Sequence, residues 1–453
     1  MSLFKKLFKK SSTEEEKKRV VVIGLDGTPF SFVKRMMDQG HMPNFAAMIE
    51  NGDFRQMKSV YPTISSVAWS TFMTGVNPAK HGIFGFVDLV AGSYEMTIPT
   101  ARDMKAETLW QFLSRHGKRV VVMNVPLTYP PKEVNGILIS GFLATDLAKA
   151  TYPPKLAEFL KEMGYRIDVD SQVARKSKER LLEDVNRTFK KRVEVMFHFL
   201  EKEKWDYLHT HIMCTDRLFH FLWREMEKKD ENYYAPFIEF INKIDEMLGK
   251  LEERLDENTE LIVLSDHGFC EVKANVQLNH WLYTEGYLKY KNEKPKGLAD
   301  ISSESVAFSL IPGRIFIHTQ GKWPKGSVRR EDYESVREEI KEKLMKLRHP
   351  ETGEKIIDRV FKKEEIYHGP YFERAADLIA HPVDGYDIKG KLWSDSLLTS
   401  DVINGMHTYN DAFLYIKKRK IKEVDLEIMD VNPTIMKMFG IEVPENIDGR
   451  AVI

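Results

Sequence analysis

The sequence predicts an α/β protein with a doubly wound, mostly parallel central sheet flanked by helices and an inserted cap subdomain. Three observations carry that expectation. Apolar, β-rich runs end in polar or acidic residues at four places, long amphipathic stretches lie between them, and the pattern loosens after Gly268 before returning near Gly405.

The four runs are RVVVIGLD (19–26), RVVVMNVP (119–126), DYLHTHIMCTD (206–216) and LIVLSDHG (261–268). Near-continuous Val, Ile and Leu suit strands covered on both faces, as parallel strands are. Between them, ETLWQFLSRHG (107–117), RLLEDVNRTFKKRVEVMFHFLEKE (180–203) and YYAPFIEFINKIDEMLGKLEERL (233–255) repeat apolar residues at three and four, the period of a helix with one buried face. Strands alternating with long helices build a doubly wound sheet. In such sheets ligands sit beyond the carboxyl ends of the strands, where Asp26, Asp216, Asp266 and His267 fall.

Residues 269–404 mix a short strand (GRIFIH, 313–318), turns such as KWPKG, a charged helix around 330–347 and the loop HPETGEK. They are read as an inserted, substrate-selecting cap. Core-like pattern resumes through DAFLYI (411–416) and a helix near NPTIMKMFG (432–440). The expected organisation is a flexible N-terminal tail (1–18), a catalytic core (19–268 plus 405–453) and the cap between its two parts.

Composition narrows the function classes. Of 453 residues, 42% are hydrophobic and 30% charged, which is globular material, and 68 Lys and Arg are cancelled by 68 Asp and Glu. With no basic field, specific nucleic-acid binding is not expected. Two cysteines, Cys214 and Cys270, and no recognisable secretory segment point to a cytoplasmic chain without a disulfide framework. No apolar run approaches the roughly 20 residues of a membrane-spanning helix. MSLFKKLFKK sets Leu3, Phe4, Leu7 and Phe8 among four lysines at helical spacing, which suits weak peripheral contact with an anionic membrane or simply a solvated tail. Glu14 to Lys18 reads as a linker.

Five places carry candidate chemistry. Asp26 follows an apolar strand and precedes Gly27, so it is a metal ligand or a helix cap. The stretch YPTISSVAWSTFMTGVNPAKHGIFGF (61–86) offers Thr63, Ser65, Ser66, Ser70 and Thr71; most would cap and bond a loop-to-helix junction, and one would serve as nucleophile if a metal lowered its pKa. Asp216-x-x-x-His220 shares a helix face, although His220 also belongs to the aromatic run LFHFLW. Asp266-His267 leaves a strand at a turn where Gly268 frees the backbone to point both side chains inward. His407 stands in GMHTYND.

Together these supply two sites, Asp216, His220 and His407 on one hand, and Asp26, Asp266, His267 and the Ser65 hydroxyl on the other. Mixed imidazole and carboxylate ligation suits two divalent ions, zinc first and manganese second, with iron also compatible and calcium disfavoured. Two such ions clamp the attacking and leaving oxygens of an in-line displacement at phosphorus.

In that order these pieces resemble the alkaline phosphatase superfamily, in its type I phosphodiesterase and nucleotide pyrophosphatase branch. GLDG matches its first metal aspartate, PTISSVAWSTFMTGVNPAKHGI its nucleophile loop, Asp216 and His220 its D-x-x-x-H pair, SDHGF its Asp-His pair and GMH its late histidine. MPNFAAMIENG (42–52) resembles the helix before that loop, and Asp448 to Arg450 its closing DGR. The resemblance runs over roughly residues 19–450 and implies an alkaline phosphatase-like core with the metal set named above. It also implies Ser65 as nucleophile, Ser66 being the rival, and a phosphate-ester substrate, nucleotides among them. Ala68 replaces an Asn that often holds phosphoryl oxygens in the phosphodiesterases. Val67 and Trp69 stand where sulfatases carry Pro and Arg.

The expected activity is metal-dependent hydrolysis of phosphodiesters or nucleotide pyrophosphates through a phosphoseryl intermediate. Alternatives are a phosphomutase resembling the metal-dependent phosphoglycerate mutase, a phospho-group transferase, and a non-catalytic binding protein. Arg314, in PGRIF, is expected either to touch phosphate or to lie on the surface.

Overall fold

RVVVIGL forms the strand Arg19–Leu25, and its alternation feeds two separate apolar layers. Val21, Ile23 and Leu25 face the helices Lys178–Lys202, Cys214–Glu227 and Tyr234–Glu252, meeting residues such as Val195, Leu222 and Ile241. Val20 and Val22 face the opposite layer, where Phe72, Leu113 and Ile435 come from the helices Ser65–Thr74, Leu109–Arg115 and Val431–Met438. A strand with both faces covered must be apolar at every position, which is why the run carries no polar alternation.

The computed structural model describes residues 18–453. The amphipathic start and all but Lys18 of the acidic-basic linker lie outside the described residues. The central sheet runs Gly52–Met57, Ala412–Lys417, Thr259–Leu264, Arg19–Leu25, Tyr207–Ile212, Val120–Met123, Gly136–Ile139, Thr151–Tyr152. The five strands from Thr259–Leu264 to Gly136–Ile139 are mutually parallel, Ile23 pairing with Val263 on one side and Thr210 on the other. The outer strands are antiparallel. This is the doubly wound α/β fold the periodicity predicts, with mixed edges. The strand GDFRQM (52–57) was not anticipated from its sequence: it is an edge strand, half solvated, and carries no apolar run.

Two local readings change. DYLHTHIMCTD is not strand throughout: the strand ends at Ile212 and a helix begins at Cys214, putting Asp216 in that helix's first turn. Gly268 is required for space, not for backbone freedom. It lies in the strand Gly268–Glu271 against Gly405–Thr408, and a Cβ there would collide with Thr408 Oγ1 and the Asp411 side chain.

That antiparallel pair is where the chain leaves the core and comes back, with Phe269 opposite His407. Between its strands stand a four-stranded antiparallel sheet (Ala307–Leu310, Arg314–Ile317, Leu378–Pro382, Ile357–Lys362) beside the helix Tyr333–Met345, and a three-stranded sheet (Tyr386–Lys389, Ala274–Gln277, Leu398–Thr399), sharing an apolar cluster that also takes in Ala79 and Phe84. Arg314 neither touches the site nor lies on the surface, correcting both expectations for it. It is 1% exposed, donates to Asp88 Oδ1 at 2.6 Å and to the Val87 and Ile311 carbonyls, and so ties the inserted sheet to the core. No helix of the described residues is long and apolar enough to cross a membrane.

Candidate metal centre

Parallel strands deliver their carboxyl ends to one edge of the sheet, and three of them place the acidic residues there. Asp26 follows Arg19–Leu25, Asp266 and His267 follow Thr259–Leu264, and Tyr207–Ile212 leads into the helix that bears Asp216 and His220. Asp26 caps no helix, since Pro29 precedes Phe30–Asp38. His407 arrives from the returning strand Gly405–Thr408. Ser65 opens the wholly buried helix Ser65–Thr74. All seven side chains singled out in the sequence therefore converge.

Their ligand atoms form two adjoining groups. Asp216 Oδ1 lies 3.2 Å from His407 Nε2 and 3.3 Å from His220 Nε2, and the two imidazole nitrogens are 3.1 Å apart. Asp26, Asp266 and His267 bring their ligand atoms within 4.8 Å of one another. His267 is also within that reach of Asp216 and His407, because its ring stacks on His407 with centroids 3.7 Å apart. It stands between the groups, closer to both than a two-way division of ligands suggests. Ser65 Oγ donates to Asp26 Oδ1 at 3.1 Å and lies 3.2 Å from His267 Nε2.

The atoms facing away from this centre are each held. Asp26 Oδ2 accepts from Trp69 Nε1 and His211 Nε2, both at 2.8 Å. Asp266 Oδ1 accepts from the Gly27 N–H at 3.0 Å, where Gly27 turns at φ 65°. Asp216 Oδ2 lies 3.4 Å from Arg217 Nη1, and Arg217 is anchored to Asp168. The three histidines use Nδ1 on backbone carbonyls, His220 on Gly405 at 2.9 Å, His267 on Gly268 at 3.1 Å and His407 on Thr63 at 3.2 Å. Donating Nδ1–H fixes the tautomer and leaves every Nε2 with a lone pair directed inward.

Electrostatics follow from crowding acids out of water. Burial, then the charge of Asp216, lifts the Asp26 carboxyl to about 7. Burial, then Asp26, raises Asp266 well above the ordinary carboxylate value. Burial would raise Asp216 too, but while no cation occupies the centre a protonated His220 outweighs it by charge and hydrogen bond and holds it well below, and that Nε2 proton is the one a bound cation would displace. His267 is held well down by burial and by His407. Asp266 Oδ2 is buried with no hydrogen-bond partner among the described residues, an arrangement whose cost an ordered cation would remove. Carboxylate oxygens and imidazole Nε2 atoms in this number fit borderline divalent cations.

The remaining hydroxyls of the loop behave as junction residues. Thr63 donates to the Val60 carbonyl at 3.0 Å, Ser70 to Ser66 and Thr74 to Ser70, both at 2.6 Å, and Thr71 pairs with His81 at 3.1 Å. Ser66 Oγ is buried with no hydrogen-bond partner among the described residues, and so bonds to none of the seven. Ala68 is fully buried. Asp448 accepts from the Asn77 N–H and side chain, both at 2.9 Å, bracing the turn after the Ser65 helix. Sequence reading missed His211, Trp69, Arg217 and Asp168. His211 lies in HTHI, where alternate polar residues in an otherwise apolar strand were the available signal. The others carry none.

A family model described as type I phosphodiesterase / nucleotide pyrophosphatase matches residues 20–410. A comparison with curated proteins finds no match. Among solved structures, phosphonoacetate hydrolase from Sinorhizobium meliloti 1021, in complex with phosphonoacetate, is similar with a TM-score of 0.65 and 16% identity, over 93% of this chain and 96% of that one. Murine ectonucleotide pyrophosphatase / phosphodiesterase 5 is similar with a TM-score of 0.55 and 15% identity, over 95% and 98%. The human protein of that name gives 0.56 and 16%, over 95% and 97%. At these identities the solved structures speak for the fold.

Proposed function

The chain belongs to the type I phosphodiesterase / nucleotide pyrophosphatase family, and from that premise we propose that it hydrolyses phosphodiesters or nucleotide pyrophosphates through a phosphoseryl intermediate at Ser65. The family is one of phosphohydrolases, which makes this chain an enzyme of that class. The observation that carries the finer reading is the position of Ser65 Oγ, 3.1 Å from Asp26 Oδ1 and 3.2 Å from His267 Nε2, where two groups of inward-facing ligand atoms meet. Ser66 Oγ, the rival, makes no such contact.

Two divalent cations, zinc or else manganese, would be held by Asp216, His220 and His407 and by Asp26, Asp266, His267 and Ser65, supplying Lewis-acid charge and a lowered hydroxyl pKa. Ser65 Oγ, relieved of its proton, attacks phosphorus; the bond to the alcohol breaks, the alcohol leaves with a proton, and a phosphoseryl ester remains. Water then attacks the same phosphorus, the Ser65–phosphorus bond breaks, and the hydroxyl is restored. In the first turn of the Ser65–Thr74 helix the Val67 and Ala68 N–H groups donate to the Ile64 carbonyl, which leaves the Ser65 and Ser66 N–H groups to meet the charge that develops on the phosphoryl oxygens. Residues 269–404 act as the substrate-selecting cap, since Ile379 to Pro382 and Asp387 to Lys389 line the cleft that reaches His220 and His407. Two free cysteines, Cys214 buried and Cys270 partly so, support a reducing, cytoplasmic setting.

The test is hydrolysis of two p-nitrophenyl substrates, the phosphate monoester and the thymidine monophosphate diester, with zinc or manganese and with chelator. Chelator-sensitive diester cleavage that disappears in Ser65→Ala is expected. No turnover of either ester with either metal would overturn the reading and favour a mutase, transferase or binding role.

A further inference from the structure

The cleft of about 200 Å³ leading to His220 and His407 has a composition that selects among phosphate esters. Its core wall is built from Tyr61 to Ile64 and Phe86, and its opposite wall from inserted residues including Ile311, Ile379 and Ile388. Tyr61 lies flat on Tyr409 with ring centroids 4.1 Å apart, which presents a rigid, apolar surface beside the reaction centre.

The charged lining residues are Asp384, Asp387 and Lys389, with no arginine among them. Lys389 Nζ donates to the Asp387 carboxylate, so its charge is already matched by a neighbour. Asp384 is left as the surplus, its carboxyl raised above the ordinary carboxylate value by partial burial first and then by two further acids, Asp411 and Asp358. His381 adds no positive charge, because burial holds its pKa down to about 4. Arg359 is 68% exposed, lies 3.6 Å from Asp358 and does not line the cleft. A ligand whose alcohol portion carries its own anion therefore meets an apolar, net acidic passage, which costs both desolvation and like-charge repulsion. An uncharged aryl or alkyl group gains burial against the same walls.

We propose that the cleft takes the alcohol portion of a phosphate ester that is apolar and uncharged, and turns away esters whose alcohol portion bears further phosphate or carboxylate groups. The inference rests on the reading of Ser65 and its neighbouring ligand groups as the reaction centre, and narrows that reading from nucleotide pyrophosphates toward simple phosphodiesters. Asp384 and Asp387 become specificity residues acting by repulsion, a device that discriminates without adding affinity.

Calorimetric titration of the zinc-loaded full chain with phenylphosphonate and with 4-carboxyphenylphosphonate tests this without turnover. Phenylphosphonate is expected to bind roughly tenfold tighter or more, and raised salt should shrink the gap as exposed charges are screened. In the double variant Asp384→Asn, Asp387→Asn the ratio should fall below about threefold, the free Lys389 then favouring the carboxylate. Equal binding of the two by the unsubstituted protein, or a gap indifferent to salt, overturns the inference and leaves the reaction centre standing. If zinc binds but neither phosphonate does, the reaction-centre reading falls and takes the inference with it. The salt series on the unsubstituted protein decides the matter even if the double variant does not fold.

Discussion

His211 Nε2 lies 2.8 Å from Asp26 Oδ2, and both side chains are fully buried. Trp69 Nε1 reaches the same oxygen at the same distance. Two donors thus hold the far oxygen of a carboxylate whose near oxygen faces Ser65 and His267. Groups that orient a ligand from behind typically change metal affinity about 10- to 100-fold when removed. Trp69→Phe, which keeps an aromatic side chain and removes the donor, is expected to weaken zinc binding by about that factor with the fold retained. Competition with a chromogenic chelator measures it; unchanged affinity in both Trp69→Phe and His211→Leu would show that neither donor orients Asp26.

Ser65→Ala should lower turnover by about a thousandfold or more, as removal of a covalent nucleophile does. Metal content should stay near that of the unsubstituted chain, because the Asp and His ligands remain. Ser66→Ala should keep most activity. The reverse pattern would move the nucleophile one residue along the helix.

Removing metal should lower thermal stability. Asp26, Asp266 and Asp216 crowd one buried pocket, and a cation that binds only the folded chain stabilises it by about 2.7 kcal/mol at a hundred times its dissociation constant. Differential scanning calorimetry with chelator, then with zinc restored, reads this as a fall and recovery of Tm. A Tm indifferent to both would exclude tight binding here.

His81 predicts a pH dependence of stability away from the metal ligands. It is fully buried; Nδ1 accepts from the Ile83 N–H at 3.2 Å, so Nε2–H donates to Thr71 Oγ1 at 3.1 Å. Burial lowers its pKa from 6.5 to about 3. Between those values the unfolded chain binds the extra proton, so stability is intact above about 6.5 and falls as pH drops, by at most ~1.4 kcal/mol per pH unit for this group. Urea unfolding at successive pH values checks it, and His81→Gln should flatten the slope.

Arg314 and Asp88 form a buried ion pair at 2.6 Å, with side-chain exposures of 1% and 8%. Arg314→Ala would strand the carboxylate and should cost about 3–5 kcal/mol, whereas replacing both partners by apolar residues should cost less. Thermal unfolding of the single and double variants compares them; equal losses would show that the inserted sheet is held to the core by its other contacts.

Much of the fold was legible because parallel strands leave a strong trace. RVVVIGL after its opening Arg19, and LIVL throughout, are free of polar residues since both faces are covered. The edge strand Gly52–Met57 was not legible, because an exposed strand has no such requirement, and neither was the point at Cys214 where strand gives way to helix. The acids at strand ends stood out for the same topological reason that makes them converge.

Periodicity and residue chemistry are local properties, so the α/β class and the inventory of Asp, His and Ser could be read along the chain. Which atoms meet is settled by packing. His407 reaches Asp216 across 191 positions of chain, His267 stands between both ligand groups, and Ser65 rather than Ser66 faces Asp26. Those outcomes depend on strand register, helix rotation and the backbone carbonyls that each imidazole finds, and these exist only once distant segments have packed together.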